Sequence, residues 1–274
     1  MPLRFKMLVS SLLDTIYNNL RSLVIGKLYT SADLAYYNQG RKFPNLIVVN
    51  INVSIDSVLL PAMSCVQDDR ERVKSLTRRA IKVSTFLMAP MMMGLLFCAE
   101  PIVKLILTEK WLPCVSFMRI FCITYLFYPI HTANLNAITA MGRSDLFLKL
   151  ETVKKAYGLV LLVSTMFISV KVMAYSLLVS TFLSMLVNSW PNKKLLDYSF
   201  WEQMKDIFPS ILLSVAMGVC VYLVGTFMPP TILTLVIQIV TGAVLYFTGA
   251  MLLQLEPFEY LLEILLQYIK RSKE

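Results

Sequence analysis

The chain has 274 residues, of which 57% are hydrophobic and 16% charged, with a net charge of +9 and a mean hydropathy of +0.66. A soluble domain of this length carries about a quarter charged residues, so the composition excludes an ordinary soluble enzyme and fits an integral membrane protein. The cysteines at 65, 98, 114, 122 and 220 are scattered and form no CxxC pair, so neither a disulfide framework nor a zinc site is indicated.

Apolar runs near the length needed to cross a hydrocarbon core about 30 Å thick recur at 7–26, 43–64, 80–98, 116–138, 155–171, 172–190, 206–226 and 231–253. The expectation is an all-α, polytopic membrane protein of about eight transmembrane helices. The opening MPLRFK is basic, like the start of a signal peptide, but Asp14 interrupts the apolar stretch and no small-residue cleavage site follows, so the first helix is read as retained. The first two spans are studded with polar residues, and the last two are nearly free of them. The segment 99–111, AEPIVKLILTEKW, opens with a proline at a helix-start position and reads as an interfacial helix. The tail 256–274 places Phe258, Leu261, Leu262, Leu265, Leu266 and Ile269 on one face and ends in Lys and Arg, as an amphipathic helix on the cytoplasmic surface does.

The basic residues orient this layout. With the N terminus inside, the inner segments hold 18 of the 26 Lys and Arg and the outer segments hold six. That bias follows the positive-inside rule and places both termini in the cytoplasm. It also accounts for the net charge without nucleic acid as a partner.

Ionisable groups at bilayer depth cost about 2.5–3.5 kcal/mol each on insertion scales and usually face a cavity or a partner. In the first span, Asp14, Asn18 and Arg21 fall at i, i+4 and i+7 on one helical stripe, with Asn19 beside it. The second span repeats the pattern with Asn45, Asn52 and Asp56. The fourth carries Arg119 near its outer end and YPIHTANLN in its middle, where Pro129 bends the helix and frees carbonyls. There His131 and Asn134 are i, i+3 neighbours, and Asn136 points to another face. Any one of these residues is equally well a helix-to-helix hydrogen bond, or in the case of Arg119 a snorkelling side chain. Three aligned stripes point to a shared hydrated cavity. His131, the one histidine, fits either a proton-coupling group or a packed ring. No nucleophile elbow accompanies it, so no catalytic residue, metal or cofactor is expected.

The segments IGKLY, SADLAYYN, VLLPAMS and the acidic-basic run after it, EPIVKLILTEKWLPCV, YPIHTANLNAITAMGRSD and LKLE-x-x-KK together resemble the bacterial polysaccharide-biosynthesis exporters. These are the O-antigen and exopolysaccharide flippases of the superfamily that also holds the multidrug and toxic compound extrusion transporters. The resemblance covers about residues 5–200 closely and the last two spans by hydropathy alone. It implies two helical lobes around a cleft that opens alternately to each side. Residues 1–190 would be the six-helix C-terminal lobe, and 191–274 two additional helices with the amphipathic tail. The first lobe would be missing from this chain.

The resemblance also implies a substrate, an oligosaccharide on undecaprenyl diphosphate, and a place in the bacterial cytoplasmic membrane alongside glycosyltransferases and a polysaccharide polymerase. On that reading Asn18, Asn19, Asn52 and Asn134 offer amides to sugars, while Arg21 and then Arg119 face the diphosphate. Asp14, Asp56 and His131 would balance charge or couple movement to sodium or protons. A drug or cation antiporter of the same superfamily, and an inert membrane fragment without transport activity, are the alternatives.

Overall fold

The computed structural model describes residues 19–271. All regular structure among them is helical. Helix α1, whose described part covers 19–28, is followed by α2 (Ser31–Ser64), α3 (Arg70–Phe97) and the short α4 (Ala99–Ile102). Then come α5 (Cys114–Leu126), α6 (Tyr128–Ala140), α7 (Ser144–Thr165), α8 (Val170–Leu196), α9 (Phe200–Phe227), α10 (Ile232–Leu252) and α11 (Glu256–Arg271). Among the described residues, six segments are long and apolar enough to cross a membrane: α2, α3, α5 with α6, α8, α9 and α10. The chain is therefore a multi-pass membrane protein. The predicted first span lies mostly outside the described residues. Helix α7 carries Asp145, Lys149, Glu151, Lys154 and Lys155 in its first half, too many charges to meet the same criterion.

The turns decide where the helices start. Thr30 caps α2, accepting from Asp33 N–H at 3.1 Å while the Asp33 carboxylate accepts from Thr30 N–H at 3.2 Å. Ser199 and Glu202 repeat this capping box at α9, and Asp69, Ser169 and Thr231 cap α3, α8 and α10 singly. Each cap is worth about 1 kcal/mol. The caps lie in two layers. The turns at 65–69, 141–143, 197–199 and 253–255 form one end of the bundle, and those at 29–30, 98–113, 166–169 and 228–231 form the other.

Several helices are longer than the apolar runs inside them. The second span begins at 31 rather than 43, because Pro44 is accommodated within α2. The charged segment before 155 is helical from Ser144. The boundary expected at 190 falls inside α8, which runs through Pro191 to Leu196 and stops at Asp197 in the left-handed conformation (φ 50°). The fourth span breaks where Pro129 predicts, into α5 and α6, with Phe127 outside helical geometry (φ −94°, ψ 1°). The interfacial helix expected over 99–111 is not one helix. It is α4, a π turn (Val103–Leu107) and a 3₁₀ turn (Glu109–Trp111) on either side of Thr108, whose positive φ of 82° ends the helical path.

Packing is built on α3, α5 and α2. Helix α9 lies along α3 more extensively than any other pair, and α2 lies along α5. Gly218 of α9 lets the Phe97 ring of α3 sit against the backbone, where an added Cβ would fall 2.2 Å from a ring carbon. Tyr246 of α10 donates to the Phe86 carbonyl of α3 at 2.9 Å. The last pair of spans is therefore packed onto the lobe as part of one bundle.

Candidate functional site

A cavity of about 410 Å³ lies between α1, α2, α5, α6, α7 and α8, at mid-depth of the bundle. Three cations line it: Arg21 of α1, Arg41 of α2 and Lys154 of α7. No described carboxylate does. Arg21 donates to the Met173 carbonyl and, at 2.9 Å, to Ser176 Oγ of α8. Arg41 Nε donates to the Tyr125 hydroxyl at 3.1 Å. Lys154 is held by Glu151 one turn before it. Both arginines are thus held at the cavity wall by hydrogen bonds to neutral groups of neighbouring helices. Cations converging on one cleft raise the local concentration of counter-ions, so the cavity is suited to an anion.

The aromatic wall continues the same line. The rings of Tyr125 and Tyr128 meet edge to face at 5.1 Å, and Tyr128 meets His131 at 5.8 Å. His131 Nδ1 lies 3.1 Å from the amide nitrogen of the buried Asn188. This contact ties the imidazole of α6 to the Asn188 side chain of α8. Ser180, Thr181 and Ser184 of α8 add hydroxyls to the lining.

Of the site residues read from the sequence, Arg21 and His131 meet in this cavity. Asp14 and Asn18 lie outside the described residues. Asn19 is exposed on α1. Asn52 is half-buried on α2, with its amide oxygen out of reach of any donor among the described residues. Asp56 is exposed and accepts from Asn136 at 2.7 Å, a pairing of α2 with α6 that is separate from the cavity. Arg119 lines a different compartment, toward the Tyr29 end of the bundle.

Asn134 is fully buried and does not reach the cavity lining. Its amide donates to Gln203 at 2.8 Å, and its oxygen accepts from Asn192 at 2.6 Å. Ser189 completes this knot of α6, α8 and α9 through a 2.9 Å bond to Gln203. Asn134 stands only about 60° around α6 from His131, and what separates the two is that α8 and α9 pack over that edge of the helix and take up its amide.

Arg41 and Lys154 are the cavity cations that hydropathy left in loops. A signal for Arg41 was present, because T-S-A-D is a capping box. Starting α2 at 31 puts Arg41 ten residues into the helix, about 15 Å along its axis.

Comparison with known proteins follows the same geometry. A family model described as polysaccharide biosynthesis protein matches residues 3–116. Teichuronic acid biosynthesis protein TuaB of Bacillus subtilis is 21% identical over 87% of this chain and 50% of its own length. Lipopolysaccharide biosynthesis protein WzxC of Escherichia coli is 23% identical over 53% of this chain and 29% of its own. Among solved structures, lipid II flippase MurJ in an inward closed conformation aligns with a TM-score of 0.73, at 18% identity, over 90% of this chain and 53% of that one. The chain spans about half the length, or less, of the relatives it matches. Local sequence, relatives and fold agree with the resemblance carried by the motifs: the chain is similar to polysaccharide-biosynthesis proteins over residues 3–116 and shares its fold with MurJ.

Proposed function

We propose that the chain carries one wall of a transport cleft that passes an undecaprenyl-diphosphate-linked oligosaccharide across the bacterial cytoplasmic membrane for cell-surface polysaccharide. It does so by positioning and solvation, without catalytic chemistry. The observation that supports this reading is the convergence of Arg21, Arg41 and Lys154 on one cavity at bilayer depth whose described lining holds no carboxylate. A diphosphate cannot enter hydrocarbon without a replacement for its hydration, and a fixed pair of guanidiniums supplies charge-assisted hydrogen bonds of the strong kind. The tyrosine and serine hydroxyls of the same wall offer partners to the first sugars. A cation antiporter would require acidic lining, so this charge pattern disfavours it.

Sidedness follows the basic residues. Arg70, Arg72, Lys74, Arg143, Lys193 and Lys194 cluster at the 65–69 end of the bundle, which is the cytoplasmic end on this reading. His131, in the cavity lining, is the proposed proton-coupling residue. Asp14 and Asp56 remain proposed as charge-balancing or ion-coupling groups, and the remaining half of the cleft is proposed to come from a lobe outside this chain.

The test is binding of undecaprenyl diphosphate to the chain in lipid nanodiscs, followed by native mass spectrometry. Arg21→Ala and Arg41→Ala should each weaken binding about tenfold or more, the scale of one charged hydrogen bond. Unchanged affinity in both variants would remove the diphosphate role.

A further inference from the structure

A second compartment, of about 690 Å³, opens at the Tyr29 end of the bundle between α1, α2, α5 and α8. An aromatic seam separates it from the central cavity. The Tyr37 ring, 2% exposed, touches Phe121 on the cavity side at 5.3 Å and Phe117 on the far side at 5.8 Å. Gly40, one turn along α2, closes the seam, because a Cβ there would meet Phe117 Cβ at 2.7 Å and the Cys114 carbonyl at 2.8 Å.

Beyond the seam, charges are distributed unevenly. Of the two acids, Glu100 is paired with Lys104 at 2.9 Å, and Asp33 is engaged as the cap of α2, accepting from the Thr30 N–H and hydroxyl at 3.2 and 2.7 Å. The two cations have no such engagement. Arg119, half-buried, and Lys171, exposed, both line the compartment, and neither makes a hydrogen bond or ion pair with a described residue. A half-buried guanidinium without an acceptor has given up hydration for nothing the chain returns. The rings of Tyr29 and Tyr36 stand in the same wall, with Tyr36 braced edge to face by Trp111 at 5.9 Å. Flat aromatic faces beside open cations match a sugar ring that carries an anionic group.

We propose that this compartment is a second binding site, for a carboxylate- or phosphate-bearing saccharide, with the anion between Arg119 and Lys171 and the sugar against Tyr29 and Tyr36. Its place as a station after the central cavity rests on the transport reading above; its ability to bind does not. The probe is Trp111, observed by 19F NMR of the 5-fluorotryptophan-labelled chain in nanodiscs. Trp190 and Trp201 lie at the opposite end of the bundle and serve as internal controls.

Trigalacturonate should move the Trp111 resonance and leave the other two in place, and neutral maltotriose should move none. Arg119→Gln and the exposed Lys171→Gln should each weaken the apparent affinity about tenfold. No movement with trigalacturonate, equal movement with maltotriose, or retained affinity in both variants would overturn the site. Inorganic phosphate should act more weakly than trigalacturonate; equal action would make this a free-anion site and overturn the saccharide assignment. Loss of the diphosphate role at Arg21 and Arg41 would leave this result standing.

Discussion

Arg21 and Arg119 look alike in the sequence, each a single arginine in an apolar helix, yet they serve different compartments. Arg21 is tied to α8 through Met173 and Ser176, so its guanidinium is fixed at the cavity wall. Asn134 is the converse case, an amide whose neighbours consume its whole hydrogen-bonding capacity. Replacing Asn134 by Ala should strand buried groups of Gln203 and Asn192, at about 1–3 kcal/mol for each group left unpaired. Chemical denaturation in mixed micelles would read this as a lowered midpoint. An unchanged midpoint would mean that the knot of α6, α8 and α9 is not a stabilising contact. Tyr198 makes the same point at the end of the bundle, in the turn before α9. Burial first, and then its 2.7 Å bond to Asp206, push its hydroxyl above the ordinary tyrosine range, so it stays a donor.

At the level of elements, the contact of α2 with α5 depends on Gly40. Gly40→Val should force the two helices apart at the aromatic seam, costing about 1–3 kcal/mol by overpacking. Solvent access to Cys114 and Cys122, both buried on α5, should rise with it. Faster maleimide labelling of these thiols would register the separation, whereas an unchanged rate would show that the seam tolerates a side chain. The start of α9 is held differently. Asp206, its side chain only 6% exposed, accepts from Arg78 of α3 at 2.7 Å and lies 3.6 Å from Lys82, which also reaches Glu256 of α11. Asp206→Ala leaves Lys82 nearly buried with one acid fewer and frees Arg78. Amide exchange over 199–210 should accelerate several-fold, with the centre of α3 unaffected. Equal acceleration in both regions would point to global rather than local loosening.

Across the whole molecule, the two ends of the bundle are chemically distinct. One collects basic residues and the Asp206 cluster; the other carries the open vestibule with Arg119 and Lys171. Between them lies a cationic cavity closed on the vestibule side by Tyr37, Phe117 and Phe121. This arrangement predicts that Tyr37→Ala joins the two compartments. A water-soluble thiol reagent added from the vestibule side should then reach a cysteine introduced at Ser184, in the cavity lining, at a rate well above that of the same cysteine with Tyr37 intact. Equal rates would show that the seam is not the barrier.

Membrane class, helical architecture and family resemblance were all legible in the sequence. They depend on apolar length, proline and cap positions, and the count of basic residues per loop, which are properties of one segment at a time. Arg21, the described member of the polar stripe in the first span, lines the cavity, and Pro129 marked the break beside His131. Which polar residues share a space was not legible in the same way. A stripe defines one face of one helix, and only packing against the others determines what that face meets. Asn134, on nearly the same face as His131, was taken into the α9 contact by the packing of α8 and α9 over that edge of α6. Arg41 and Lys154 entered the cavity because their helices extend beyond the apolar runs that hydropathy detects. Local chemistry along the chain determined that this protein crosses a membrane with charges inside it. The tertiary structure alone decided that three of those charges face one cavity and two others open onto a separate one, because that outcome depends on the rotation and separation of helices distant in sequence.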